Sequence, residues 1–397
     1  MMHYDYIITG GGCAGLSLIY HLLESPLKGK SILLIDQLEK KQNDRTWCFW
    51  ESTNGLFEPI VFHQWDQLSF YAKNYNRTFE IAPFRYKMIR GIDFYKYVQT
   101  KINQSPNVTV LQATVESLFT KGDKVQVTAG AQSYTADWCF NSILFQPIDK
   151  VHTNYLDQHF KGWVIQTDSP AFDPLQATLM DFRISQEGET RFLYVLPFDE
   201  HRALVEVAIF SNKILHPSAY DEILKQYIKD YLSPNPYVIV HEEFGIIPMT
   251  DFPFSRSDGR VIHMGSAGGD TKASTGYTFW RIQQYVGKVV DTLITKGHPI
   301  VKEGQLNKRF KLYDSALLKV LETHRLDGEV LFTYLFQKNP PQRLLRFLNE
   351  ETNLLEELQL MGTVPTSIFL KVVFEELLKK RLKVMPNLPL NVLDKGE

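Results

Sequence analysis

Apolar positions in the first 36 residues fall into three units. Tyr4-Asp-Tyr-Ile-Ile-Thr9 has the density of aromatic and β-branched residues of a buried strand, the run from Cys13 to Leu22 spaces its apolar side chains for a helix, and Ser31-Ile-Leu-Leu-Ile-Asp36 is a second strand. Further strands are predicted over 108–116, 177–183, 202–211 and 259–264, and beyond about residue 301 the period turns helical, over 310–321 and 367–381. This order predicts an α/β chain whose nucleotide-binding domain is discontinuous (1–60, 85–148 and 258–300). A mostly antiparallel substrate-domain sheet is expected over 61–84 and 149–257, followed by a C-terminal helical region over 301–397.

One strand breaks its own pattern. In Arg202-Ala-Leu-Val-Glu-Val-Ala-Ile-Phe-Ser211, alternation puts Leu204, Glu206, Ala208 and Phe210 on one face and Val205, Val207 and Ile209 on the other, so a carboxyl sits where neither face looks wet. Desolvation disfavours its ionised form, which makes Glu206 a candidate general acid; a buried ion pair with Arg or Lys is the alternative.

The first turn carries recognisable chemistry. Gly10, Gly12 and Gly15 occupy the G-x-G-x-x-G positions between strand and helix, where they permit a tight turn, backbone approach to a pyrophosphate and close helix packing. Asp36 ends the second strand about 20 residues on, placed for the adenosine ribose hydroxyls. A second glycine-rich segment, His263-Met-Gly-Ser-Ala-Gly-Gly-Asp-Thr-Lys-Ala-Ser-Thr-Gly-Tyr-Thr-Phe279, lies between a strand and a helix far downstream. Its backbone, at Gly265, Gly268, Gly269, Thr275 and Gly276, is a candidate for the ribityl chain and ring of a flavin. Two such segments favour FAD over NAD and an FAD-binding, Rossmann-like domain. Arg90 is a candidate pyrophosphate partner and Val115 a candidate backbone contact to adenine.

Composition narrows the classes. A net charge of −2 supplies no basic field for nucleic acid. Three separated cysteines, Cys13, Cys48 and Cys139, fit free thiols in a reducing, cytoplasmic compartment. The first residues have no secretory pattern, no apolar run reaches about 18 residues, and the histidines show no metal-ligand spacing, so membrane contact is expected to be peripheral and no metal is expected.

Several segments together resemble the flavoprotein-type lycopene cyclases, which close β-ionone rings on acyclic carotenoids. The carriers are Asn43-Asp-Arg-Thr-Trp-Cys-Phe-Trp50, Gln158-His-Phe-Lys-Gly-Trp163, Met180-Asp-Phe-Arg183, Phe192-Leu-Tyr-Val-Leu-Pro-Phe198, Ala203-Leu-Val-Glu206, Gly245-Ile-Ile-Pro-Met249 and the downstream glycine segment. The resemblance implies reduced FAD in a reaction without net redox change, lycopene or another acyclic carotenoid end as substrate, γ-carotene then β-carotene as products, and Glu206 as the acid. Two departures stand out: Glu206 is followed by Val207 and Ala208 where the better-known form has Glu-Asp-Thr or Glu-Glu-Thr, and Ala273 stands where Pro is common.

Other expectations attach to the same region. Asp181 is a second candidate for the catalytic site, with an ion pair to Arg183 as the alternative. Trp47, Phe49, Trp50, Trp163, Phe192, Tyr194 and Tyr277 are candidates for a polyene channel. The string Phe347-Leu-Asn-Glu-Glu-Thr352 imitates the plant acid motif, but it opens into an amphipathic helix, so Glu350 and Glu351 are expected to be solvated or capping. The last helix groups Phe369, Leu370, Val373, Phe374 and Leu377 opposite Lys371, Glu375, Lys379 and Lys383, either to pack on the protein or to dip into a lipid surface. No second dinucleotide fingerprint occurs, so NAD(P)H or another reductant would reach the flavin without a dedicated Rossmann unit. Rival readings are a flavin monooxygenase or polyene reductase, whose downstream loop usually carries Gly-Asp rather than Gly265-Ser266, and a non-enzymatic carotenoid-binding protein, which leaves two flavin-type loops unexplained.

Overall fold

Three β-sheets, each built from distant parts of the chain, organise the molecule. The computed structural model describes residues 2–232, 236–302 and 304–384, and for 305–307 and 380–384 the backbone alone. The first sheet runs Val261–His263, Gln132–Asn141, Met2–Thr9, Ile32–Asp36, Val108–Gln112, all parallel along this path. Such strands are covered on both faces, which is why Ile7, Ile8 and Ile32, Leu33, Leu34, Ile35 form unbroken apolar runs. Helices Cys13–Leu23, Gly91–Asn103 and Phe279–Lys296 supply the core on one face. Val115–Lys121 and Lys124–Ala129 add an antiparallel meander whose Val115, Val125 and Val127 pack on the other.

The second sheet has seven strands in the order Tyr237–Thr250, Tyr155–Thr167, Arg202–Ser211, Thr190–Pro197, Gln176–Asp181, Gln67–Ala72, Tyr75–Glu80. Every pairing is antiparallel except that between Gln176–Asp181 and Gln67–Ala72. Its two faces have different covers. Val205, Val207 and Ile209 pack with Tyr220, Leu224 and Tyr227 of helix Pro217–Tyr227, whereas Leu204, Ala208 and Phe210 join a core with Leu318, Leu331, Phe336 and Leu345 of the C-terminal helices. The division of strand Arg202–Ser211 follows the alternation read from its sequence, with Glu206 on the inner, helix-and-loop side.

A three-stranded sheet, Thr46–Glu51, Arg85–Arg90 and His63–Trp65, joins the two cores. Trp47 and Phe49 face the first sheet's helices, while Cys48 and Trp50 face the second sheet. One strand thus feeds both layers by simple alternation.

The C-terminal helices are tied to the downstream glycine segment by a buried charge cluster. Lys272, 2% exposed, reaches Asp314 at 3.0 Å and Glu350 at 3.1 Å, and Arg281 also pairs with Glu350. Burial opposes ionisation of Glu350, but the two cations outweigh it and hold the carboxyl below its usual value. Glu350 is therefore neither solvated nor capping, contrary to the sequence expectation; Asn353 and Glu356 form the capping box of helix Leu354–Met361. Glu350 itself adopts φ 63° just past helix Pro341–Leu348 and its C-cap Asn349, a backbone turn its local sequence does not announce. The last helix, Thr366–Val384, packs on Gln305–Glu322 through Val372 and through Glu376, which accepts from Ser315 at 3.1 Å. The predicted apolar side splits: Phe369 and Val373 turn inward, but Leu370, Phe374 and Leu377 are exposed, because contact with one neighbouring helix uses only a narrow face. The side chain of Lys383 lies outside the described residues. No described helix is long and apolar enough to cross a membrane.

Removing the cation of Lys272 should be costly, since it strands Asp314 in a dry interior. Lys272→Met is expected to lower unfolding stability by about 3 kcal/mol, read as a shift in the urea midpoint, while the similar-length substitution Lys288→Met on an exposed helix position should move it little.

Candidate active site

One rung of the second sheet carries the site. On the inner face Glu206 is paired in register with Gly162 on one side and Tyr194 on the other, and Gly162 is paired in turn with Glu243. Glycine is required at the centre. A Cβ at residue 162 would stand 2.9 Å from Leu204 Cδ1, 3.0 Å from Glu206 Oε2 and 3.1 Å from Glu243 Cγ, so the absent side chain is the space into which both carboxyls lean. Burial pushes the Glu206 carboxyl well above its ordinary value, and the charge of Glu243 and a hydrogen bond to it push the same way. No Lys, Arg or His forms an ion pair with either glutamate among the described residues.

The surroundings are polar chiefly through hydroxyls, with the Cys48 thiol and, two residues from Glu243 on its own strand, the His241 imidazole as the other groups. Thr46 Oγ1 donates to Glu243 Oε2 at 2.7 Å. Tyr86 and Tyr277 hydroxyls lie 2.9 Å apart, and Tyr277 also hydrogen-bonds Tyr194. Burial, reinforced by neighbouring charge that includes Glu206, raises both Tyr194 and Tyr277, so their hydroxyls stay protonated. The Trp50 ring meets Tyr277 edge-on at 4.9 Å. Cys48 lies in the same cluster, its thiol likewise raised by burial.

Tyr277 belongs to the downstream glycine segment and so connects the acid to the nucleotide-binding layer. In the first turn, a Cβ on Gly15 would strike Gly10 O at 2.0 Å, whereas one on Gly12, at the start of helix Cys13–Leu23, would meet nothing within 4 Å. Backbone is packed where the fold needs it and open where a pyrophosphate would lie. Asp36 accepts from Gly11 N at 2.5 Å and Leu38 N at 2.7 Å, holding the turn while keeping lone pairs for a ribose hydroxyl. Ala113 N donates to Asp36 O at 3.0 Å, which brings Val115 beside that strand end. Gly265 and Gly269 adopt φ of 59° and 71°, and a Cβ on Gly265 would press Ala14 at 2.9 Å, so the two glycine segments touch. A Cβ on Gly268 would meet His263 O at 2.4 Å. Gly276, φ 73°, abuts Gln158, whose buried Oε1 has no partner, and Thr275 Oγ1 accepts from Tyr277 N at 3.3 Å. These features fit a dinucleotide with its flavin end toward Gln158 and Tyr277.

The lycopene cyclase protein family model matches residues 5–372. The chain belongs to the lycopene cyclase family. It is 25% identical to the lycopene beta-cyclase of Pantoea ananas over 262 residues, 62% of this chain and 63% of that protein, and 24% identical to that of Pseudescherichia vulneris over 62% of each. The alignments thus span less than two thirds of those relatives. Among solved structures, a flavoprotein/dehydrogenase from Cytophaga hutchinsonii matches with a TM-score of 0.64 at 12% identity, covering 94% of this chain and 99% of that one. A geranylgeranyl bacteriochlorophyll reductase-like protein from Thermoplasma acidophilum matches with 0.61 at 12%, covering 95% and 100%. These likenesses establish the fold of FAD-dependent oxidoreductases and monooxygenases, an α/β architecture with a C-terminal helical region.

Within this cyclase fold not every candidate residue reaches the rung. Asp181 is fully buried against Arg183 at 2.6 Å and accepts from Tyr227 Oη at 2.7 Å. Tyr227 lies on the outer helix, so Asp181 sits on the face opposite Glu206 and the ion-pair alternative describes it. Arg90 pairs with Asp93 at 2.6 Å and stacks over Phe62 at 4.0 Å, a local pair favoured by i,i+3 spacing at a helix start. Of the aromatic candidates, Trp50, Phe192, Tyr194 and Tyr277 line the inner core, Trp47 and Phe49 belong to the nucleotide-binding core, and Trp163 faces the outer helix. Among the described residues no group of side chains could hold a metal ion. Glu243, Gly162 and Thr46 are the site residues the sequence reading passed over. The signal available for Glu243 was its place two residues before Gly245 on an alternating strand.

Two outcomes follow. Gly15→Val should abolish FAD retention, seen as loss of flavin absorbance in the purified protein. Folding takes up a proton at Glu206 that the unfolded chain releases above its ordinary value of 4.5, so the acid costs stability as pH rises toward its folded-state value. Glu206→Gln should therefore melt higher than the parent by a margin absent at acid pH and growing, at no more than about 1.4 kcal/mol per pH unit, through neutrality.

Proposed function

We propose that this protein is a lycopene beta-cyclase that uses FAD in its reduced form and performs an acid-catalysed isomerisation without net redox change. The observation that carries the reading is Glu206: a half-buried carboxyl without a cation, its proton affinity raised, on a face lined by aromatic rings. Such a group can do what an isolated trisubstituted alkene requires, which is to deliver a proton to carbon. The proton leaves Glu206 Oε and bonds to the terminal alkene carbon. The resulting tertiary cation is captured by the neighbouring double bond, forming the ring C–C bond. Loss of a ring proton restores neutrality and sets the position of the new double bond. Tyr194, Tyr277 and Trp50 present electron-rich faces beside this chemistry and exclude water from it. The turn at residues 10–15, Asp36 and the segment 265–276 would hold FAD, which in its reduced form would supply further electron density near a developing cation. NAD(P)H is the proposed reductant. γ-Carotene and then β-carotene would be the products.

A substrate soluble only in lipid calls for peripheral attachment, proposed here at the cytoplasmic membrane face. The support is a set of outward leucines and a phenylalanine, Leu354, Leu355 and Leu358 on one C-terminal helix and Leu370, Phe374 and Leu377 on another, all exposed by more than 40%.

In vesicles containing lycopene, without oxygen and with chemically reduced FAD, the parent should form ring-containing product, and Glu206→Gln should lose at least about a hundredfold in rate while retaining flavin. A single turnover in heavy water should place one deuterium in each ring. Oxygen incorporation or loss of a double bond in place of cyclisation would refute the reading. Phe374→Glu combined with Leu377→Glu should reduce co-flotation with the same vesicles.

A further inference from the structure

Beyond Glu206 itself, the rung contains a second carboxyl that the reaction as written does not use. Glu243 comes from a different strand, crosses the gap left by Gly162 and is fixed at its far oxygen by Thr46. We propose that Glu243 is the positioning residue of the acid: its carboxylate accepts a hydrogen bond from the Glu206 carboxyl across Gly162, keeping that proton on Glu206 until the polyene end takes it from the same oxygen. This rests on the cyclase reading and adds to it a reason why the acid stays loaded.

Three geometric facts carry the inference. Gly162 is the register partner of both glutamates, so the sheet itself sets their separation. Its lack of a side chain is what lets them meet, since any Cβ would wedge against both. Thr46 donates to Glu243, which marks that residue as the acceptor end of the chain of hydrogen bonds. The groups facing the pair are Tyr194 from one neighbouring strand, Tyr277 from the glycine segment, Tyr86 and Cys48 from the small sheet, and His241, two residues from Glu243 on its own strand. Lys161, next to Gly162, pairs on the outer side with Asp221 and with Glu242, the neighbour of Glu243. Two carboxyls on one rung leaning into the gap at Gly162 repel one another if both are charged, which favours a hydrogen-bonded proton between them. Once Glu206 has given its proton to carbon, two carboxylates face each other, and their repulsion favours return of the proton expelled from the closed ring to Glu206. One proton goes out and one comes back, so the pair is restored without an external acid.

The test follows the carboxyl directly and then the rate. In infrared spectra of the flavin-loaded protein, the protonated-carboxyl band removed by Glu206→Gln should titrate with a midpoint that falls by about one pH unit in Glu243→Gln, which keeps an acceptor but loses the charge. The alkaline limb of the cyclisation rate should move down by the same amount. Glu243→Asp should restore part of the shift, and Gly162→Ala, which forces the carboxyls apart, should shift the midpoint in the same direction as Glu243→Gln. A midpoint unchanged in Glu243→Gln and Gly162→Ala, in protein that still holds flavin, overturns the proposal. Because the infrared titration needs no turnover, it reads the pair even if the parent fails to cyclise lycopene, and a cyclising parent with an unmoved midpoint sinks the pair alone.

Discussion

A carboxyl set among aromatic rings and phenols with no counter-cation is the constraint on which this structure turns. Burial would ordinarily be met by an ion pair, as it is for Asp181 with Arg183 and for Glu350 with Lys272 and Arg281. At Glu206 the same fold withholds the cation and offers another carboxyl and a set of phenols. The contrast is instructive because all three acids are at least partly withdrawn from solvent, and the identity of the neighbour separates a structural anion from a stored proton. The elements around that proton are mostly apolar or hydroxyl-bearing, in keeping with the aromatic richness of the inner core.

The layers cooperate through a few connections. Strand Thr46–Glu51 alternates between the nucleotide-binding core and the inner face of the second sheet, so Thr46 can reach Glu243 while Trp47 and Phe49 remain in the other layer. The downstream glycine segment makes a second link: Gly265 presses on Ala14 at the first turn, Gly276 on Gln158 of the second sheet, and Lys272 anchors the C-terminal helices. Position of the cofactor-binding turns, of the acid and of the helical cover is thereby set by one stretch of chain.

Much of this was legible from residue order. Alternation alone assigned the faces of strand Arg202–Ser211, and the glycine spacing with Asp36 marked the nucleotide turn, because both are local properties of contiguous residues. What escaped was anything that depends on register between distant strands. Glu243 lies 37 positions beyond Glu206 in a strand that is not its immediate neighbour, and Gly162 gains meaning only once the central strand is paired to both. Trp163 was drawn into the aromatic candidates although parity with Gly162 sends it to the opposite face. Glu350 was misjudged for a related reason: its partners, Lys272 and Arg281, are some 70 to 80 positions away and meet it only in three dimensions.

Strand Tyr237–Thr250 lies at the border of its sheet, bonded to a single neighbour along Tyr155–Thr167, and Val238, Val240, Phe244 and Ile246 point into the open from it. An acid whose proton affinity is governed from such a margin has an adjustable dial that is mechanically separate from the flavin cradle. Drift in this one ribbon would retune proton donation across homologous enzymes while leaving nucleotide affinity untouched.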